Sequence, residues 1–457
     1  MFQTVEIPVW LVVVLFALPG VAALDRIIGP GVRWFFRRRL ERLLAQVNAR
    51  LERKIEPFKL MRRQDMVVRL LYDPAVLEAV AEHAAATGVP GEVALEEARV
   101  YAREIVPGFS ALFYFGFATR AARALSAVFF RVRVGVVSEA ARVIDPRATV
   151  IFVMNHRSNM DYVLVTWLVS GRAAISYAVG EWARVWPLSR LIRAMGAYFI
   201  RRGSHNALYR RVLARYVQMA TAEGTTQAVF PEGGLSLTGR VGAARMGLLS
   251  YIWAGFDPAA IVKGGRDVVF VPVGLAYDRV LEDALLVRAA RQGGRRFRAP
   301  ILRVLWEALR IALKRAGGHR YLFGTAAAGF GAPLSLSAHQ AAGGDLEGLG
   351  VRLMAEVERV VPVLAAPLVA ASIAMAVPVP ELVARLEAVG AVLRLPPGGL
   401  AQAEAEGRAA LCSRGILDAA GTLQPEMGDL LAFYAAPVRQ RLGEAAASSD
   451  ISATQRT

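Results

Sequence analysis

Three rhythms of apolar and polar positions succeed one another along the chain. From Ile7 to Leu24 there are eighteen residues without a charge, enough for a short membrane-crossing helix. Met1 to Glu6 has no positive side chain and the sequence after Leu24 is strongly basic, which favours a retained anchor over residues 1–24 rather than a cleaved leader. Leu40, Leu43, Leu44, Val47, Leu51 and Ile55 then recur at helical spacing among Arg37, Arg38, Arg39, Arg42, Arg50, Arg53 and Lys54, the pattern of a basic amphipathic helix. Helical spacing runs on from Gln64 to Arg133, broken at Gly88-Val89-Pro90-Gly91 and at Pro107-Gly108, so residues 25–134 read as a basic helical region.

At Gly135 the rhythm shortens. Apolar runs at Val150 to Met154, Ile175 to Val179, Ala197 to Ile200, Gln227 to Phe230 and Val268 to Val273 alternate with helix-period sequence. Such alternation predicts an α/β domain over 135–344, a mainly parallel central sheet flanked by helices with ligand sites at the carboxyl ends of its strands. Beyond Gly344 the chain is rich in Ala and Leu, which predicts a helical C-terminal region over 345–457 that ends in a disordered tail from Ala445. Val360 to Val379 is a second uncharged stretch, twenty residues long, but Pro362, Pro367 and Pro378 argue for buried helices rather than a membrane span.

Composition narrows the possible partners. The 457 residues are 55% hydrophobic, with mean hydropathy +0.38 and a formal charge of +17. High hydropathy and positive charge together point to anionic membrane lipids. Between Asp25 and Arg63 twelve Lys or Arg face four Asp or Glu, and by the positive-inside rule this excess places the body on the cytoplasmic side. No nucleic-acid-binding motif or aromatic-basic interleaving accompanies the charge. Cys412 is the sole cysteine, so an intrachain disulfide and a cysteine-based metal cluster are both excluded.

The candidate chemistry lies at the strand ends. Val150 to Met154 runs directly into Asn155-His156-Arg157-Ser158-Asn159-Met160-Asp161, where one of five histidines precedes a carboxylate by five positions. Five residues of one regular helix would put His156 and Asp161 on different faces. His156 therefore belongs to the turn, with Asp161 in the first helical turn reaching back to it. A carboxylate so placed holds one imidazole nitrogen protonated and leaves the other free to take a proton from a hydroxyl. Three further strand ends carry complementary groups. Gly196 to Gly203 ends in Arg201 and Arg202, suited to an anionic ligand. Phe230-Pro231-Glu232-Gly233-Gly234 leads on to Ser236, Thr238 and Arg240, with glycines that let backbone N–H groups approach a ligand. Ser236 lacks the flanking glycine of a nucleophile elbow and is not a covalent nucleophile. Val271-Pro272-Val273 supplies a wall.

In this order and spacing the four stretches resemble the acyltransferase blocks of the glycerolipid acyltransferase family. The arginine after His156 is similar to the glycerol-3-phosphate branch, as are Val47 to Leu51, Pro57 to Leu60 and Glu104 to Pro107 upstream, and Phe330 to Ser335 downstream. The resemblance implies a bacterial inner-membrane enzyme of phospholipid biosynthesis, with its catalytic domain facing the cytoplasm. It would move a fatty acyl group from acyl-CoA or acyl-carrier protein to the sn-1 hydroxyl of glycerol 3-phosphate, without metal or organic cofactor. Carried over by position, His156 is the base and Asp161 its orienter. Arg157, Ser158, Arg201, Arg202, Glu232, Gly233, Gly234, Ser236, Arg240 and Pro272 fall to substrate binding. One departure stands out: the family pattern Glu-Gly-Gly-Arg-Ser-Arg-Thr-Gly has Leu235 and Leu237 in place of its arginines. An acceptor other than glycerol 3-phosphate, such as a lysophospholipid, is the alternative this raises. A non-catalytic lipid-binding protein on the same body is a reading of another class.

Overall fold

The computed structural model describes Arg38, Arg42 and residues 45–134, 144–169, 172–180, 188–201, 206–293 and 323–443. The anchor expected over 1–24 lies outside them. Of the unit formed by Met1–Lys54, residues 45–50 are helical, within the expected basic amphipathic stretch. Residues from Ile55 onward form a second unit with one continuous sheet.

Strand β2 (Thr149–Met154) is the centre of that sheet. Its apolar, largely β-branched residues are covered on both faces, as a central parallel strand requires. The strands are β1 (Arg131–Val134), β2, β3 (Ser176–Gly180), β4 (Tyr198–Ile200), β5 (Gln227–Val229), β6 (Val268–Tyr277), β7 (Thr325–Phe330) and β8 (Leu334–Ser335). Their order across the sheet is β1-β7-β6-β2-β5-β3-β4, with β8 on β6. Pairing is parallel except where β6 meets β7 and β8. The fold is thus α/β with a mostly parallel, mixed sheet flanked by helices.

Alternation along the strands sorts side chains between two cores. Val150, Met154, Val271, Val273, Leu275 and Tyr277 join the helices Thr119–Phe129, Met160–Val169, Ala365–Met375 and Gly428–Arg441. Ile151, Val153, Phe270 and Val229 turn the other way, against helices Arg63–Leu71, Gly91–Ile105, Ala207–Ala222 and Leu346–Val360. Residues 345–443 thus contribute to both layers of this unit. Even-numbered positions of β2 face the first core, and the same alternation sends His156, just past the strand end, toward that side.

The sequence pattern missed β1, β7 and β8. The β7 sequence, Thr-Ala-Ala-Ala-Gly-Phe, has almost no β-branched residue. Its small size has a cause: Gly329 of β7 pairs with Gly274 of β6, and the backbone at Val360 and Val361 crosses over both. A Cβ on either glycine would drive into that backbone. After the crossing, Ala365–Met375 packs as a helix whose residues Ala365 to Ala371 are all buried, which is where an apolar-all-round helix belongs. No single helix among the described residues is long and apolar enough to cross a membrane; Ala365–Met375 and Val379–Ala388 pass only as a pair, bent by 107°.

Pro272 lies in the middle of β6, where a missing N–H would ordinarily break a ladder. On its antiparallel side β6 pairs with β8 at Val269 and Phe270, then with β7 from Val273 onward. Pro272 falls in the gap between these partners, and its carbonyl accepts from Gly331 N at 2.8 Å.

The crossing at Gly274 and Gly329 gives a test of the fold. Gly329→Ala should lower stability by about 2–4 kcal/mol, the scale of overpacking against immobile backbone. Thermal melting beside a surface control such as Gly428→Ala, whose added Cβ meets nothing within 4 Å, would measure it.

Candidate active site

At the carboxyl end of β2 the chain leaves the sheet between β5 and β6, its two parallel neighbours, with Val153 level with Val229 and with Pro272. This adjacency brings three of the four sequence stretches to one place. Asn155 ties the exit to β6, donating from Nδ2 to Leu275 O at 2.9 Å and accepting from Leu275 N at 2.7 Å. His156 N donates to Glu232 Oε1 at 2.9 Å, and His156 O accepts from Ser236 N at 2.8 Å. The histidine backbone is thereby stitched to the Gly-rich loop after β5.

The buried Asp161 carboxylate sits in the first turn of the helix Met160–Val169, the end at which negative charge is favoured. Its Oδ2 lies 2.8 Å from His156 Nδ1 and accepts from the backbone N–H of Arg157 at 2.7 Å and of Ser158 at 3.1 Å. Its Oδ1 accepts from the Tyr277 hydroxyl at 2.7 Å. A carboxylate can only accept in such contacts, so the proton between it and the imidazole resides on Nδ1. Nε2 then carries a lone pair, and among the described residues it makes no hydrogen bond. The ring is held on its face by Phe230, with centroids 4.3 Å apart, and on its edge by Tyr162 at 5.5 Å. The arrangement is that of a general base whose orientation and tautomer are fixed before any substrate arrives.

Glu232 divides its carboxylate between His156 N and Gly242 N, the latter at 3.2 Å. Burial pushes its pKa up to about 7, against the pull of those two N–H groups and of Arg157. Gly233, at φ +67°, turns the loop in a conformation suited to glycine. Gly234 continues the turn. The Ser236 hydroxyl donates to Arg240 O at 2.6 Å and accepts from Gly239 N at 3.1 Å, so it holds the loop to itself.

Several residues expected to bind substrate are engaged with protein groups. The Arg157 guanidinium is buried, donates to Gly239 O and lies 4.7 Å over the Phe433 ring of the helix Gly428–Arg441; burial lowers its pKa. Ser158 Oγ accepts from Met160 N at 3.1 Å and donates to Glu282 Oε2 at 2.8 Å, which makes it the start of the helix. Arg201 ends the edge strand β4, three strands from β2 or roughly 14 Å at ordinary strand spacing. It binds Glu104 through Nε at 2.9 Å and Nη2 at 2.6 Å, and stacks near Tyr101 and Tyr209. Arg202 lies outside the described residues. Arg240 lies along the Gly-rich loop with its charge felt by Glu358, and Pro272 is in the sheet as described above. No group of three or more His, Cys, Asp or Glu among the described residues could hold a metal ion.

Two contributors were not foreseen. Tyr277 lies 116 residues from Asp161 in the chain; its only local signal is an aromatic with a polar tip closing an otherwise apolar strand. Glu282 receives Ser158 Oγ, Asn159 N at 3.2 Å and Asn159 Nδ2 at 3.0 Å. Burial raises its pKa, and nothing local in the sequence marks it.

Residues 136–276 match the family model described as Acyltransferase. This stretch is an Acyltransferase-family domain. It contains β2 to β5 and nearly all of β6, and with them His156, Asp161 and the Gly-rich loop. The chain is similar to a glycerol-3-phosphate acyltransferase from Alteromonas mediterranea, 32% identical over 232 residues that cover 49% of this chain and 27% of that protein. It is similar also to one from Shewanella amazonensis, 31% identical over 250 residues, covering 53% of this chain and 30% of that protein. The chain thus spans under a third of the length of these curated relatives. Among solved structures it is similar to the 1-acyl-sn-glycerophosphate acyltransferase PlsC from Thermotoga maritima, with 17% identity, a TM-score of 0.31, and coverage of 54% of this chain and 76% of that one.

Two measurements follow from the geometry of this domain. Tyr277→Phe removes a donor to a buried carboxylate and should lower stability by about 1–3 kcal/mol, read from melting. For Glu232 the folded pKa, near 7, exceeds its ordinary 4.5. Between those values the folded state binds more protons than the unfolded, so this group makes stability decline as pH rises through the window. In Glu232→Gln the decline between pH 5 and 7.5 should be smaller than in the parent protein, as melting at both pH values would record.

Proposed function

We propose that this protein esterifies glycerol 3-phosphate at its sn-1 hydroxyl, taking the fatty acyl group from a thioester of coenzyme A or acyl-carrier protein. The observation that carries the reading is the His156–Asp161 pair, with Nδ1 committed to the carboxylate and Nε2 making no hydrogen bond among the described residues. The acceptor hydroxyl gives its proton to Nε2 as its oxygen attacks the thioester carbonyl. The tetrahedral adduct expels thiolate, and the imidazolium, held by Asp161, returns the proton to sulfur. The likeness to the glycerol-3-phosphate acyltransferases from Alteromonas and Shewanella supports the acceptor. The uncharged stretch from Ile7 to Leu24 and the basic segment after it support a site of action at the cytoplasmic face of a bacterial inner membrane, against anionic lipid.

A second acceptor has an observation in its favour. Leu235 and Leu237, which stand where the family pattern has arginines, pack against the apolar core shared with Leu430 and Phe433. A loop with those side chains turned to the core suits an acceptor that brings its own acyl chain, a lysophospholipid.

The experiment is an acceptor panel with purified, membrane-reconstituted full chain. Glycerol 3-phosphate and 1-acylglycerol 3-phosphate would each be offered labelled acyl-CoA and acyl-carrier protein. His156→Ala and Asp161→Asn should lose at least 100-fold in turnover, with circular dichroism and melting recorded beside the rates to check that each variant is folded at the assay temperature. Near-parental activity in His156→Ala would sink the mechanism, and the absence of transfer to any acceptor by the parent protein would leave a lipid-binding role.

A further inference from the structure

The Gly-rich loop lacks the arginines of the family pattern at Leu235 and Leu237, yet an acceptor that carries a phosphate monoester needs a cation near His156. Two of the cations expected to serve have other engagements. Arg157 is buried between Gly239 O and the Phe433 ring, and Arg201 is forked onto Glu104 on the edge strand.

Arg245 is placed differently. Its backbone N–H donates to Pro231 O at 2.8 Å, which fixes it alongside the start of the loop. Its side chain then runs across Gly233: a Cβ added there would lie 2.7 Å from Arg245 Cδ and 3.5 Å from Nε. Gly233 follows Glu232, whose carboxylate holds the His156 backbone. Arg245 is exposed, and among the described residues its guanidinium makes no hydrogen bond or ion pair. The same turn leaves further donors unused: Gly233 N is bonded to Phe230 O and Ser236 N to His156 O, but among the described residues the N–H groups of Gly234 and Leu235 between them have no partner. Successive free N–H groups beside an unpaired guanidinium make an anion-binding concavity.

We infer that Arg245, lying across Gly233, is the specificity-determining cation for the acceptor, binding its phosphate monoester together with the N–H groups of Gly234 and Leu235. The inference rests on the proposed acyl transfer at His156. It moves the phosphate contact from within the Glu-Gly-Gly motif to a residue thirteen positions past Glu232. Gly233 is then required small for a second reason, because any side chain there would displace the arginine stem.

Arg245→Gln and Arg245→Lys, each in the reconstituted full chain, test it. Arg245→Gln should raise the KM for glycerol 3-phosphate about 10- to 100-fold, the range of one lost charge-assisted contact, and affect kcat at saturation much less. Arg245→Lys, which keeps the charge without the fork, should fall between. Equilibrium dialysis of labelled glycerol 3-phosphate should show the same loss of affinity without turnover. The panel includes 1-acylglycerol 3-phosphate and the unphosphorylated monoacylglycerol, so that a phosphate effect appears as a narrowed preference between those two. Arg211→Gln, on an exposed residue of the helix Ala207–Ala222, supplies the reference for a bulk charge effect. If the parent protein transfers acyl groups and Arg245→Gln leaves both KM and dialysis affinity within twofold, the inference is overturned. If the parent protein transfers to no acceptor, the underlying reading fails first, and dialysis still decides whether Arg245 binds the phosphate.

Discussion

Everything at the strand ends depends on one saturated carboxylate. Asp161 accepts from an imidazole, two backbone N–H groups and a phenol, and it has no exposure to water. A buried charge with fewer partners would be costly, and with these it becomes rigid. Three of these donors come from the turn at His156, Arg157 and Ser158, and the fourth from the far end of β6. The sheet register fixes all of them at once, because β2 exits between β5 and β6. The same register delivers Glu232 to the His156 backbone, so the base is oriented from its ring and from its main chain.

A second layer holds that turn from behind. The helix Gly428–Arg441 lies outside the matched domain, yet Phe433 faces the Arg157 guanidinium. Gln440 exchanges hydrogen bonds with Val241 at 2.8 and 3.0 Å, and Tyr434 accepts from Val280 N at 3.1 Å. These three contacts reach the His156 turn, the Gly-rich loop and the segment after β6. Arg157, the residue beside the base, is therefore spent on fixing the turn to the C-terminal layer. An uncharged residue could not do this, since the contact needs both a donor for Gly239 O and a cation for the ring.

The sequence made the heart of this legible and left its surroundings dark. Apolar runs bounded by turns mark β2, β3, β4, β5 and most of β6, because buried parallel strands need continuous β-branched and apolar sequence. β7 does not announce itself: the chain crossing at Val360 and Val361 demands Ala and Gly, which carry no strand signal. The placement of His156 in a turn and Asp161 in the following helical turn is a local matter, readable from helical angles alone. Tyr277, Glu282 and the Arg157–Phe433 contact are long-range, and a single sequence gives no account of which distant side chain completes a carboxylate. Arg201 shows the converse limit: an arginine at a strand end looks available until Glu104, nearly a hundred residues earlier, is brought against it.

The central claim is that Asp161 holds the proton on Nδ1 of His156 and leaves Nε2 as the base. Nitrogen-15 NMR of the histidine-labelled, reconstituted full chain reads this directly, with the signal of His156 assigned as the one lost in His156→Ala. The account predicts that the neutral imidazole is protonated at Nδ1 and bare at Nε2. A neutral ring that carries its proton on Nε2 would contradict it, because a ring so protonated cannot take the hydroxyl proton from the acceptor.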